Sequence, residues 1–128
     1  VVVGADFDAD GRPDVLVTQL SAKPRGSSEL LHLIKNNWDT SGNWIGVRLQ
    51  GSSGISPLGS VVKIKMGGKT LIHPVTSGDS LWAQHPAIAH FGLGDLKTVE
   101  LLEINWGNGK TTRIENPKVN QYLLAHPK

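Results

Sequence analysis

The chemistry this 128-residue chain can do is concentrated in the run Asp6-Phe7-Asp8-Ala9-Asp10-Gly11-Arg12-Pro13-Asp14, which holds four of its seven Asp residues. Carboxylates stand at the first, third and fifth places of the run. If the backbone curls at Gly11, they converge on one point, joined by the carbonyl of the seventh place and the carboxylate of the ninth. Such a shell suits a hard divalent cation with oxygen ligands, and Ca²⁺ tolerates a mixed, flexible shell better than Mg²⁺ does. The competing reading is a solvated turn in which Asp residues cap their own backbone. A plain turn has no need of four alternating Asp around one Gly, and without a cation the carboxylates repel one another.

The elements that must position this loop are strands. Val1 to Val3 form a β-branched stub leading into it, and Asp14 to Leu20 leaves it as a β-branched strand. An EF-hand is excluded, because it needs flanking helices and a bidentate Glu at the twelfth place, which here is Val17. A polar connection from Ser21 to Glu29 leads to a second strand, Leu30 to Lys35, which ends at Asn36-Asn37. Two strands cannot make a core of their own.

The run from Val3 to Asn37, with Asp6-x-Asp8-x-Asp10-Gly11-x-x-Asp14, an apolar strand and a strand closing on Asn36-Asn37, resembles the last FG-GAP or VCBS-type repeat of a β-propeller. The resemblance implies bound Ca²⁺ with Asp6, Asp8, Asp10, Arg12 through its carbonyl, and Asp14 in the shell. It makes residues 1–37 a single repeat, which either pairs with the downstream domain or stands as the remnant of a propeller blade.

Composition bounds what can follow. With 38% apolar and 19% charged residues, 15 Gly and 7 Pro, the chain reads as one turn-rich all-β protein. A net charge of +2 on scattered Lys and Arg lacks the footprint of a nucleic-acid binder, so no nucleic-acid partner is expected. Absence of Cys removes disulfides and Cys-based zinc or redox sites. No stretch reaches the ~18 apolar residues of a membrane span. A weak calcium loop fills only where free Ca²⁺ is high, which points to a secreted, extracellular or periplasmic protein. The start at Val1 without Met reads as the C-terminal piece of a longer polypeptide.

After a linker over 38–43, the texture changes. Trp44 to Gln50 alternates as a half-buried strand. Leu58 to Met66 follows after a Gly/Ser loop, turns at Gly67-Gly68 and returns through Lys69 to His73, a two-residue hairpin. Pro74 to Gly94 is the least regular segment, and its end reads as turn chemistry. Val99 to Trp106 and Lys110 to Ile114 form a second hairpin about Gly107-Asn108-Gly109, and Val119 to Ala125 supplies a last strand. The expected architecture is a small antiparallel β-sandwich or barrel preceded by a β-hairpin that carries the calcium loop.

Residues 44–125 resemble the ASPIC/UnbV domain in Trp44-Ile45-Gly46-Val47-Arg48-Leu49, Leu58-Gly59-Ser60-Val61-Val62, Gly67-Gly68-Lys69, Ser77-Gly78 with Gln84, His90-Phe91-Gly92-Leu93-Gly94, and Ile104-Asn105-Trp106 with Gly109-Lys110. The domain so identified runs over 44–128. In cartilage-acidic-protein-like secreted polypeptides this domain follows FG-GAP-type repeats, so the two resemblances support each other.

Other candidate chemistry is thinner. His73, His85 and His90 fall near Asp79 and Ser80, yet no Gly-x-Ser-x-Gly elbow or His-Glu-x-x-His motif accompanies them, and no catalytic residue is assigned. Gly67-Gly68-Lys69-Thr70 lacks the first Gly of a phosphate loop and sits in a hairpin. Trp44 and Trp106, at strand positions, are expected in the core, whereas Trp82 stands in a loop as the candidate ligand contact. The function so indicated is a non-enzymatic, calcium-binding structural or adhesion module with a protein or glycan partner. A carbohydrate-binding module and an accessory domain of secondary-metabolite biosynthesis are the alternatives.

Overall fold

The computed structural model describes residues 1–18, 31–39, 42–80 and 82–127. The Ser21–Glu29 connection, the strand ends beside it, two residues of the 38–43 linker and Leu81 lie outside the described residues. The chain divides into two compact units, Val1–Asp39 with Ser77–Pro86, and Thr40–Thr76 with Ala87–Lys128. Among the described residues all regular structure is β.

The first unit is a three-stranded antiparallel sheet of β1 (Val2–Ala5), β2 (Asp14–Thr18) and β3 (Leu31–Ile34), in the order β1-β2-β3. Pairing of Ala5 with Asp14 closes the hairpin around the acidic loop, and pairing of Val15 with Ile34 adds β3 outside β2. The expected hairpin is therefore present, with a third strand. Its burial is unusual: among the described residues of this unit only Asp14 is fully buried, while Leu31, Leu33 and Ile34 are exposed. The segment Ser77–Pro86 adds to it through the Ser80 hydroxyl, which donates to the Val2 carbonyl at 2.7 Å.

The second unit contains β4 (Asn43–Leu49), β5 (Val61–Met66), β6 (Lys69–Pro74), β7 (Ile88–Gly94), β8 (Leu101–Asn105), β9 (Thr111–Glu115) and β10 (Tyr122–Ala125). They form two sheets, β10-β4-β7 and β6-β5-β8-β9. Period-2 alternation turns Ile45, Val47 and Leu49 of β4 and Ala89, Phe91 and Leu93 of β7 inward, against Val62, Ile64 and Met66 of β5 and Leu102 and Ile104 of β8. This is a sandwich with no barrel closure. Fully burying each of the larger apolar side chains contributes roughly 1.5–3 kcal/mol, so the hydrophobic stability of the described chain resides here.

Both expected hairpins form. Gly67 and Gly68 have φ of 51° and 74°, which the two-residue turn between β5 and β6 requires. Three details differ from the sequence reading. β5 begins at Val61, so Leu58 to Ser60 is loop. The end of the irregular segment is a seven-residue strand, β7, because Gly92 and Gly94 fall on its outer side while the intervening residues are buried. The last strand, β10, runs parallel to β4, with Tyr122 opposite Gly46.

Candidate metal centre

The acidic loop is wired by its own carboxylates. Asp6 accepts the amides of Asp10 and Gly11 at 3.1 and 2.8 Å, one on each oxygen. Asp14 accepts the amide of Phe7 at 3.0 Å on one oxygen and that of Asn36 at 2.8 Å on the other. Asp14 thus ties the start of the loop to the chain leaving β3, which explains why a carboxylate sits at 2% exposure. Positive φ at Ala9 (59°) and Gly11 (89°) turns the backbone inward.

Carboxylate oxygens of Asp6, Asp8 and Asp14 all lie within 4.8 Å of one another. A Ca–O distance of about 2.3–2.6 Å places opposed ligand oxygens up to roughly 5 Å apart, so this spacing suits Ca²⁺ as it stands. Hydrogen bonds from backbone amides leave each carboxylate oxygen a second lone pair for a metal.

Asp10 is turned elsewhere. Its oxygens accept the amide of Arg12 at 2.9 Å and the Arg12 guanidinium, and the Lys35 ammonium lies 3.6 Å away. Burial acts to raise its pKa, but the amide and charge of Arg12, with Lys35, overcome it and hold the carboxyl below its ordinary value. Lys35 also pairs with Asp8, and the hydrogen bond and charge of Asp8 push its own pKa up. Four carboxylates against two cations leave two negative charges in the loop, the complement of one divalent ion.

Of the five residues expected in the shell, the structure brings the carboxylates of Asp6, Asp8 and Asp14 together, aims Asp10 at Arg12, and engages Arg12 through its guanidinium. Lys35 and Asn36 escaped the sequence reading as parts of this site. The signal was available in the register, since pairing Val15 with Ile34 returns the chain to the loop immediately after β3.

The remaining candidates fall in two places. Trp82 is 80% exposed at φ 57°, the tip of a turn closed between Ser80 and Ala83. Across the base of this loop His85 Nδ1 lies 3.0 Å from Asp79, and that contact draws the Asp79 pKa down. The Ser80 hydroxyl goes to Val2, so Ser80, His85 and Asp79 make no nucleophilic relay. Trp106 is core as expected, its indole N–H donating to Thr112 Oγ1 at 2.9 Å. Trp44 is not. It is half-buried on the outer face of its sheet, stacked on His90 at 5.3 Å between ring centroids and 17° between planes.

The family model described as "ASPIC and UnbV" matches residues 51–128, inside the domain expected over 44–128. No curated protein matches the chain. These domains are accessory and non-catalytic. With a match over more than half its length and a β-sandwich under the matched residues, the chain belongs to the ASPIC and UnbV family.

Proposed function

We propose that this chain is the C-terminal part of a longer secreted protein of the cartilage-acidic-protein-like kind, and that it works as a calcium-stabilised, non-enzymatic interaction module. In this reading residues 1–37 are an FG-GAP/VCBS-type repeat, and the sandwich is the module that meets a protein or glycan partner. One observation carries the calcium reading. The carboxylates of Asp6, Asp8 and Asp14 converge, with two uncompensated negative charges, in a unit whose described residues include no fully buried apolar side chain. A sheet without a core needs another source of stability, and an ion bound to the folded loop alone supplies it by mass action. Asp6, Asp8 and Asp14 would hold the ion, joined by Asp10 and the Arg12 carbonyl if Asp10 leaves its partner. Apolar side chains on both faces of the first sheet, Val15 and Ile34 on one and Leu16 and Leu33 on the other, have the composition of a sheet made to be covered, as a propeller blade is.

Thermal melting in calcium and in chelator tests the reading. At an ion concentration a hundredfold over Kd the added stability is about 2.7 kcal/mol, a rise in midpoint on the order of 10 °C. The shift should vanish in Asp10→Ala if Asp10 joins the shell, and in Asp8→Ala in any case. Equal midpoints for the parent chain in both buffers would sink the proposal.

A further inference from the structure

The two outer faces of the sandwich differ in chemistry. On the sheet β6-β5-β8-β9 the outer face carries the cross-strand ladder Lys63, Glu103 and Arg113, with Arg113 Nε 2.8 Å from Glu103, as a solvated face should. The outer face of β10-β4-β7 carries aromatic rings. Trp44 stacks on His90 and meets Tyr122 at 4.9 Å and 57°, and Tyr122 Oη lies 3.3 Å from His90 Nδ1. Tyr122 covers Gly46, where a Cβ would come within 2.1 Å of the ring. The Arg48 guanidinium stands 5.6 Å over the Tyr122 ring, and Gly92, opposite Trp44 in register, is exposed with open space above it.

Packing explains Tyr122, which fills the hollow at Gly46. The same face also presents a half-buried Trp beside open glycine backbone and an exposed Arg, the one permanent charge among its strand side chains. Flat aromatic surface next to open backbone suits the apolar C–H face of a sugar ring, and a guanidinium suits a carboxylate by paired hydrogen bonds. Trp44 and Arg48 are four residues apart on one strand, and the Trp44 ring and the Arg48 guanidinium flank the Tyr122 ring at 4.9 and 5.6 Å from its centroid, so a ligand lying along β4 can touch both.

We propose that the Trp44–Tyr122–Arg48 face binds an acidic oligosaccharide, a chain of uronic-acid units lying along β4 with a ring against Trp44 and a carboxylate on Arg48. This names the partner of the interaction module proposed above but not its calcium, so loss of the calcium response leaves it standing.

Affinity electrophoresis of the full chain in gels containing polygalacturonate or dextran tests it. Polygalacturonate should retard the protein and dextran should not, and free galacturonic acid monomer should compete poorly. Arg48→Gln, a change at an exposed site, should weaken retardation about tenfold, and Trp44→Phe severalfold, with melting midpoints unchanged for Arg48→Gln. The double change Lys63→Gln with Lys65→Gln, on the opposite sheet, should have no effect. Absence of retardation by polygalacturonate, retardation unchanged in Arg48→Gln, or an equal loss in the Lys63/Lys65 variant would each overturn the proposal, the last by showing attraction to overall positive charge alone.

Discussion

Replacing Asp14 with Ala removes the acceptor of two backbone amides at once, those of Phe7 at 3.0 Å and Asn36 at 2.8 Å, at the most buried position among the described residues of the first unit. A hydrogen bond to a charged acceptor contributes about 1.5–3 kcal/mol, so the pair is worth roughly 3 kcal/mol or more. Neither bond needs a metal. Asp14→Ala should therefore disrupt the loop in chelator as well as in calcium, whereas Asp8→Ala, which loses an exposed contact with Lys35 and an exposed hydrogen bond from the Asp10 amide, should do less damage in chelator. Hydrogen exchange followed by NMR resolves the two cases. In chelator the amides of Phe7 and Asn36 should lose their protection in Asp14→Ala and keep it in Asp8→Ala, while the strands of the sandwich exchange as before. Protection of both amides retained in Asp14→Ala, or equal damage from the two substitutions, would refute the assignment of Asp14 as the tie between loop and β3.

Two further outcomes follow from the sandwich. Gly46→Ala drives a Cβ to within 2.1 Å of the Tyr122 ring and should destabilise the protein by about 2–3 kcal/mol in urea unfolding, with much of the loss recovered in Gly46→Ala/Tyr122→Ala. His73 is half-buried edge-on to Phe91 at 6.0 Å, and burial lowers its pKa. The unfolded chain takes up this proton near pH 6.5 while the native state resists it, so stability from this residue is present above pH 6.5 and declines as pH falls below it. Melting midpoints measured from pH 7.5 to 5 should fall less in His73→Leu than in the parent chain.

What could be read from the chain follows from which interactions are local. The acidic loop and the turns at Gly67-Gly68 and Gly107-Asn108-Gly109 were legible because positive φ, alternation and carboxylate spacing are written within a few residues. β7 was not, because Gly92 and Gly94 look like turn residues until β4 supplies the partner that makes them the outer side of a strand. Trp44 was misplaced for a related reason: alternation along β4 shows two faces without saying which is inner, and the burial of Ile45, Val47 and Leu49 decides it. The parallel pairing of β10 and the reach of Lys35 to Asp8 and Asp10 join residues distant in sequence, so no local pattern announces them. In the loop, spacing located the carboxylates but not their division of labour, with Asp6 and Asp14 holding backbone amides and Asp10 holding Arg12.

Calorimetric titration of the full chain with CaCl₂ tests the central claim most directly. The calcium reading predicts one ion bound per chain with Kd of roughly 10⁻⁴–10⁻³ M, as in extracellular modules, and loss of the saturable heat in Asp6→Ala and Asp8→Ala. No saturable heat up to about ten times that range, or a titration unchanged in both variants, would contradict it.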